Sequence, residues 1–163
     1  MQSRVYGIND SGQTAGFFED QSEAWHGFVR GIEGTFTIFD LPSENFWLTF
    51  QCLDAAGNVY GTYSDGVNEH GFMRKADGAI VVLDPPHSEA AALFSINSQG
   101  TAVGISSNWK GGFMYKPNGA FRRLGSPPDW SAVNPKGISP GGNYIVGSYV
   151  DVQGAWHGYL RVK

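Results

Sequence analysis

The chain repeats itself, and that repeat limits its possible folds more than any other feature. Turn glycines recur at Gly12, Gly57, Gly100 and Gly142, spaced 45, 43 and 42 residues apart. A second set, each preceded by an apolar or small residue, recurs at Gly16, Gly61, Gly104 and Gly147, spaced 45, 43 and 43 apart. A third marker reads Trp25-His26-Gly27-Phe28, Glu69-His70-Gly71-Phe72, Lys110-Gly111-Gly112-Phe113 and Trp156-His157-Gly158-Tyr159. Three markers in one register mean four copies of a single supersecondary unit, each needing a neighbour to bury its apolar face.

Each copy divides into four short extended segments. In the first, strand A (Val5-Tyr6-Gly7-Ile8) is followed by the turn Asn9-Asp10-Ser11-Gly12 and by strand B (Gln13 to Phe18). Asn, Asp, Ser and Gly are the residues that close tight hairpins. Strand C starts at His26, and strand D runs from Thr35 to Asp40 before Leu41-Pro42, where proline ends the ladder. Four strands per copy predict an all-β β-propeller of four roughly 43-residue blades, at approximately 1–46, 47–90, 91–131 and 132–163, in a single domain. A β-solenoid usually has a shorter period, and a sandwich would not repeat so regularly. The last copy ends soon after strand C, at Leu160-Arg161-Val162-Lys163, so its blade is expected to lack the outer strand and to expose an edge. That edge allows either a homo-oligomer or a truncated piece of a larger propeller.

The motifs Ile8-Asn9-Asp10-Ser11-Gly12-Gln13, His26-Gly27-Phe28 and Phe36-Thr37-Ile38-Phe39-Asp40-Leu41-Pro42 resemble the HAF repeat of bacterial, often extracellular, proteins. The resemblance spans nearly the whole chain, with departures at Gly111, where histidine is expected, and at Ser139-Pro140-Gly141 in the fourth turn. It implies a propeller-like architecture and a secreted or periplasmic location, and it brings no catalytic residue set. In strand A, the residues Gly7, Cys52, Ser95 and Gly137 are all small. Small side chains there suit four blades meeting at a crowded axis.

Composition narrows the functional classes. The net charge of −4, with no run of Lys or Arg, argues against a nucleic-acid partner. No stretch is long and apolar enough to predict a membrane span. Cys52 is the only cysteine, so no intrachain disulfide forms. No cofactor motif, nucleophile elbow or phosphate loop appears, and no cofactor is expected.

Two constellations remain. His26, His70 and His157 share one repeat position. Three imidazoles suit a metal, but they begin strand C, about 10 Å outside strand A, so equivalents from different blades should diverge. The favoured reading makes each a structural histidine bonded to a carboxylate such as Asp40 or Asp84, with no metal site. The second constellation follows from blade topology, which puts the B-to-C and D-to-A loops on one face. Trp25, Trp47, Trp109, Trp130 and Trp156 all fall there, with His70 and carboxylates that include Glu23, Asp65, Glu69 and Asp151. Aromatic rings beside carboxylates suit a ligand with an apolar face and hydroxyl groups. The leading expectation is therefore a binding module for a glycan or small polar ligand. A hydrolase using carboxylates or histidine on the same face is the first alternative, and a self-associating structural repeat is the second.

Overall fold

The computed structural model describes residues 2–42 and 48–162. The backbone divides into two compact units, 1–82 and 83–163. Each contains two antiparallel sheets. In the first unit, sheet one runs in the order β1 (Ser3–Ile8), β2 (Thr14–Glu19), β3 (Trp25–Arg30), β4 (Phe36–Phe39). Sheet two follows with β5 (Leu48–Leu53), β6 (Val59–Ser64), β7 (Glu69–Arg74), β8 (Ile80–Val82). In the second unit, sheet three is β9 (Ala91–Ile96), β10 (Ala102–Ser106), β11 (Trp109–Tyr115), β12 (Phe121–Arg123). Sheet four is β13 (Trp130–Ile138), β14 (Tyr144–Asp151), β15 (Trp156–Val162). Every sheet is a meander, with strands adjacent in sequence paired side by side. No strand pairs beyond β15 among the described residues, so the fourth sheet is three-stranded, as the sequence predicts. It starts at Trp130, slightly before the boundary expected at 132.

The turn after each first strand is built by its leading side chain. Asn9 Oδ1 accepts from the amides of Ser11 and Gln13, both at 3.1 Å. Asp54 Oδ1 does the same for Ala56 and Asn58, both at 2.9 Å, and Asn97 Oδ1 for Gln99 (3.1 Å) and Thr101 (2.9 Å). In the fourth copy, Ser139 Oγ accepts from the Tyr144 amide at 3.0 Å, across a turn one residue longer. The glycine three residues on has φ between 71° and 85° in all four turns, where a Cβ would be strained.

The small residues of strand A have a local cause that the sequence reading missed. Ladder register shifts between Val5 and Gly7, Phe50 and Cys52, and Pro135 and Gly137, and between the Gly104 and Val103 pairings opposite Leu93 and Ser95. Each first strand therefore carries a β-bulge, and the small residue follows the extra one. Just before each of three of these bulges, a carbonyl closely approaches the next strand. A Cβ on Gly16, Gly104 or Gly147 would overlap the carbonyl oxygen of Arg4, Ala92 or Asn134. This explains three of the four glycines in the second repeating set.

The core of the first unit joins Ala15, Phe17, Val29 and Phe39 of sheet one to Leu53, Val59, Tyr63 and Phe72 of sheet two. In the second unit, Val103, Met114 and Leu124 meet Ile145, with Ile138 and Tyr159 packed on them. Phe72 and Phe113 are fully buried, each contributing roughly 1.5–3 kcal/mol of apolar burial. Side chains also tie the sheets of a unit together at the turns: the Asn9 amide donates to the Asp54 carbonyl at 3.0 Å, and the Asn97 amide to the Ser139 carbonyl at 3.4 Å.

Candidate functional site

The recurring histidines lie at the starts of β3, β7 and β15, each beside the loop that enters its strand. Asp20 Oδ1 accepts from the Ser22 amide (2.8 Å), the Ser22 hydroxyl (2.7 Å) and the Ala24 amide (2.9 Å), while Oδ2 faces His26 Nε2 at 3.3 Å. Asp65 holds the amides of Val67 and Asn68 and faces His70 Nε2 at 3.1 Å. Asp151 holds the amides of Gln153 and Ala155 and faces His157 Nε2 at 2.8 Å. One carboxylate thus closes a loop with one oxygen and orients a histidine with the other, in three of four copies. In the third copy the loop shrinks to Ser107-Asn108, and aspartate and histidine are absent together. Joint presence and joint loss identify the pair as one device of the fold.

The expected carboxylate partner of His26 is also present: its Nδ1 lies 2.6 Å from Asp40 Oδ1. With a carboxylate at each ring nitrogen, Asp40 foremost and Asp20 second, the His26 pKa is raised above 6.5. The Ser22 hydroxyl and the Ala24 amide, with His26 behind them, hold Asp20 down at about 2. The Asn68 and Val67 amides hold Asp65 at about 2. Asp151 is lowered by His157 first and by the Ala155 amide second. Each imidazole also lies against an aromatic ring: Phe18 at 5.1 Å, Tyr63 at 5.2 Å and Tyr149 at 4.8 Å between centroids. Among the described residues, no three His, Cys, Asp or Glu side chains gather where a metal ion would be held.

The tryptophans have unequal environments. Trp25 meets Phe17 edge-on at 4.9 Å and packs on the core of its unit. Trp109 is half-buried, with the Arg123 guanidinium 5.8 Å from its ring centroid. Trp156 is 65% exposed. Trp130 lies flat on Tyr149, with centroids 3.7 Å apart and planes 6° apart, and Tyr159 comes within 5.6 Å. Trp47 lies outside the described residues. Glu69 begins β7 and is exposed. Glu23 is exposed and has φ 67°, the left-handed conformation that Gly154 occupies (φ 87°) at the matching position of the fourth copy.

Trp130 also lines a groove of about 180 Å³ in the second unit, with Leu124, Gly125, Pro127, Val133, Tyr159, Leu160 and Arg161. Tyr159 lines the groove, but its hydroxyl is buried away from solvent and has no hydrogen-bond partner among the described residues. Burial pushes its pKa up to about 12. Sequence reasoning did not single out Tyr159 or Tyr149, because aromatic residues at strand positions read as core. Its signal was the third repeat marker, in which tyrosine replaces the phenylalanine of the other copies.

No protein-family model matches the chain, and comparison with curated proteins finds no match. Solved structures do match. TolB from Acinetobacter baumannii is 11% identical, with a TM-score of 0.66 over 98% of this chain and 41% of that one. Virginiamycin B lyase from Staphylococcus aureus is 15% identical, with a TM-score of 0.55 over 95% of this chain and 55% of that one. A catalytically inactive form of the same lyase, with quinupristin, is 17% identical, with a TM-score of 0.52 over 96% and 55%. These are β-propeller proteins. The fold is propeller-like. The chain spans about half the length of the solved structures it matches, and identities this low speak for fold alone.

Proposed function

We propose that the chain is a binding module of propeller type that takes a glycan or another small polar ligand, acting outside the cytoplasm as the repeat resemblance implies. The observation that carries this reading is the groove beside Trp130. There Trp130 and Tyr159 line one groove with Arg161, an aromatic wall with a charged hydrogen-bond donor in the same lining. An apolar sugar face would lie on the aromatic wall while a sugar hydroxyl accepts from the Arg161 guanidinium. A groove of about 180 Å³ is smaller than the roughly 300–1,000 Å³ of sites that enclose drug-sized molecules, so one ring is the expected occupant. Among the tryptophans expected to bind, Trp130 carries the reading. Trp25 serves the core.

Two of the carboxylates named for the hydrolase alternative are poorly suited to act as its acid. A glycosidase acid needs a carboxyl held protonated near neutral pH, whereas Asp65 sits at about 2 and Asp151 is lowered. Both are ionised acceptors already engaged by their loops.

The test is a saccharide screen read by intrinsic tryptophan fluorescence, with Trp130→Ala and Arg161→Gln. Loss of the stacking ring or of the charged donor should each weaken a saturable response about tenfold, with circular dichroism showing that the fold is kept. A flat response across the screen, or a response that both changes leave intact, would sink the reading.

A further inference from the structure

Where sheets three and four meet, two arginines are brought to the outer rim of one core. Met114 and Ile145 are buried together in the second unit. Arg122 on β12 pairs across the ladder with Met114, and Arg161 on β15 pairs with Ile145. Cross-strand partners share a face. Each arginine therefore stands one strand outward from its buried partner, on the sheet face that turns toward the other sheet. Both line a groove of about 140 Å³, with Leu124 and Asn143 in the same lining.

The first unit shows that the repeat does not demand this pair. There the residue matching Arg161 is Arg74, and the one matching Arg122 is Thr37. Arg74 is 6% exposed, lies over the Phe39 ring and donates to the Lys75 carbonyl, so its own unit consumes it. In the second unit Leu124 stands where Phe39 does in the first, and both arginines are exposed. Arg161 donates one N–H to the Leu124 carbonyl, which anchors its head while the other guanidinium donors stay uncommitted among the described residues. No carboxylate lines the groove, and neither arginine forms an ion pair among the described residues. Like charges on one rim repel, and nothing in the lining offsets them. Residues 83–163 carry seven Lys and Arg against four Asp and Glu, whereas 1–82 carry four against eleven. The surplus of positive charge thus lies in the unit that holds the groove.

We infer that this groove binds an oxyanion: a sulfate, a phosphate or a carboxylate group. Guanidinium forks match the paired oxygens of such groups, and the Asn143 side-chain amide offers a further donor. The volume is many times the roughly 10–15 Å³ that one water needs and below the roughly 300–1,000 Å³ of sites that enclose drug-sized molecules. A single anionic group is the occupant. It has two sources, a free inorganic ion or the acid group of a saccharide, because the groove beside Trp130 shares Leu124 and Arg161 with this one. The inference does not rest on saccharide binding, since Arg122 and Asn143 lie outside the Trp130 groove.

The experiment titrates sulfate, phosphate, glucuronate and neutral glucose separately into the isotope-labelled chain, at constant ionic strength set with chloride, and follows the amide chemical shifts of Asn143 and Leu124. The variants are Arg122→Gln and Arg123→Gln. Both residues are exposed, so both variants should keep the wild-type circular dichroism. Arg123 pairs with Phe113 and stands on the opposite face, which makes it the control for loss of one positive charge. At least one of the anions should give saturable shifts that Arg122→Gln weakens at least roughly tenfold and Arg123→Gln leaves in place. Glucuronate binding tighter than the inorganic ions, with glucose flat, assigns the group to a saccharide; inorganic ions binding as tightly or tighter assign it to a free ion. Trp130→Ala should leave the inorganic-ion shifts intact, which keeps failure of the saccharide reading separate from failure of this one. No saturable shift with any anion overturns the inference, as does an anion response that Arg122→Gln leaves intact or that Arg123→Gln weakens equally.

Discussion

Gly27 and Gly158 hold the same repeat position, yet alanine should affect them differently. A Cβ on Gly27 would overlap the ring of Phe39, which comes from the outer strand β4. Phe39 is buried in the core of the first unit and carries the Arg74 guanidinium 5.1 Å from its ring centroid, so the ring has little freedom to swing aside. At Gly158 nothing lies within 4 Å, because sheet four has no outer strand among the described residues. Overpacking a filled site costs about 1–3 kcal/mol. At about 2 kcal/mol, Gly27→Ala should lower the melting temperature by roughly 4–8 °C for a chain of this size. Gly158→Ala loses only unfolded-state freedom and should be neutral or stabilising by up to about 1 kcal/mol. Thermal melts followed by circular dichroism give both values. Equal losses at the two positions would refute the reasoning, since they would mean that an outer strand covers Gly158 in solution.

Three further outcomes follow from the loops and the core. Gly104→Ala pushes a Cβ into the Ala92 carbonyl, so it should cost more than Gly27→Ala, about 3–5 kcal/mol once overpacking and two weakened ladder bonds are combined; urea titration measures it. Glu23→Gly relieves a left-handed residue and should stabilise by about 1 kcal/mol, and an unchanged urea midpoint would rule out strain at that turn. Stability should vary with pH on two limbs. Asp20 and Asp65, ordinarily near 3.8 and held at about 2, contribute stability that is present above pH 3.8 and lost as the pH falls through about 2. His26 has a raised pKa, so its contribution is full below pH 6.5 and fades as the pH rises through the folded value. His26→Gln should flatten the upper limb in a series of melts against pH, and an unchanged upper limb would remove His26 as its cause.

Much of this was legible in the chain because repetition turns one pattern into four independent readings. The markers at Gly12, Gly16 and Gly27 fixed strand order and the missing outer strand. A histidine-to-carboxylate bond was also foreseen and occurs between His26 and Asp40. The loop aspartates could have been found as well, since Asp20, Asp65 and Asp151 precede their histidines by six, five and six residues and vanish from the copy that lacks one.

What the residues alone determined is local. Asn, Asp and Ser lead the turns because their short side chains reach the amides two to five residues on, and glycine follows because the turn needs positive φ. Only the tertiary structure decided which tryptophans are free. Trp25 and Trp156 have the same repeat position and the same neighbours in sequence, yet one is wedged on Phe17 and the other is 65% exposed. Burial depends on what another part of the chain brings to a face, and a repeat carries the same residues whether or not a neighbour arrives. The bulge behind Gly7 and Gly137 belongs to the same class. A small residue reads alike whether it meets a crowded axis or follows an extra residue in the ladder, and backbone register alone separates the two.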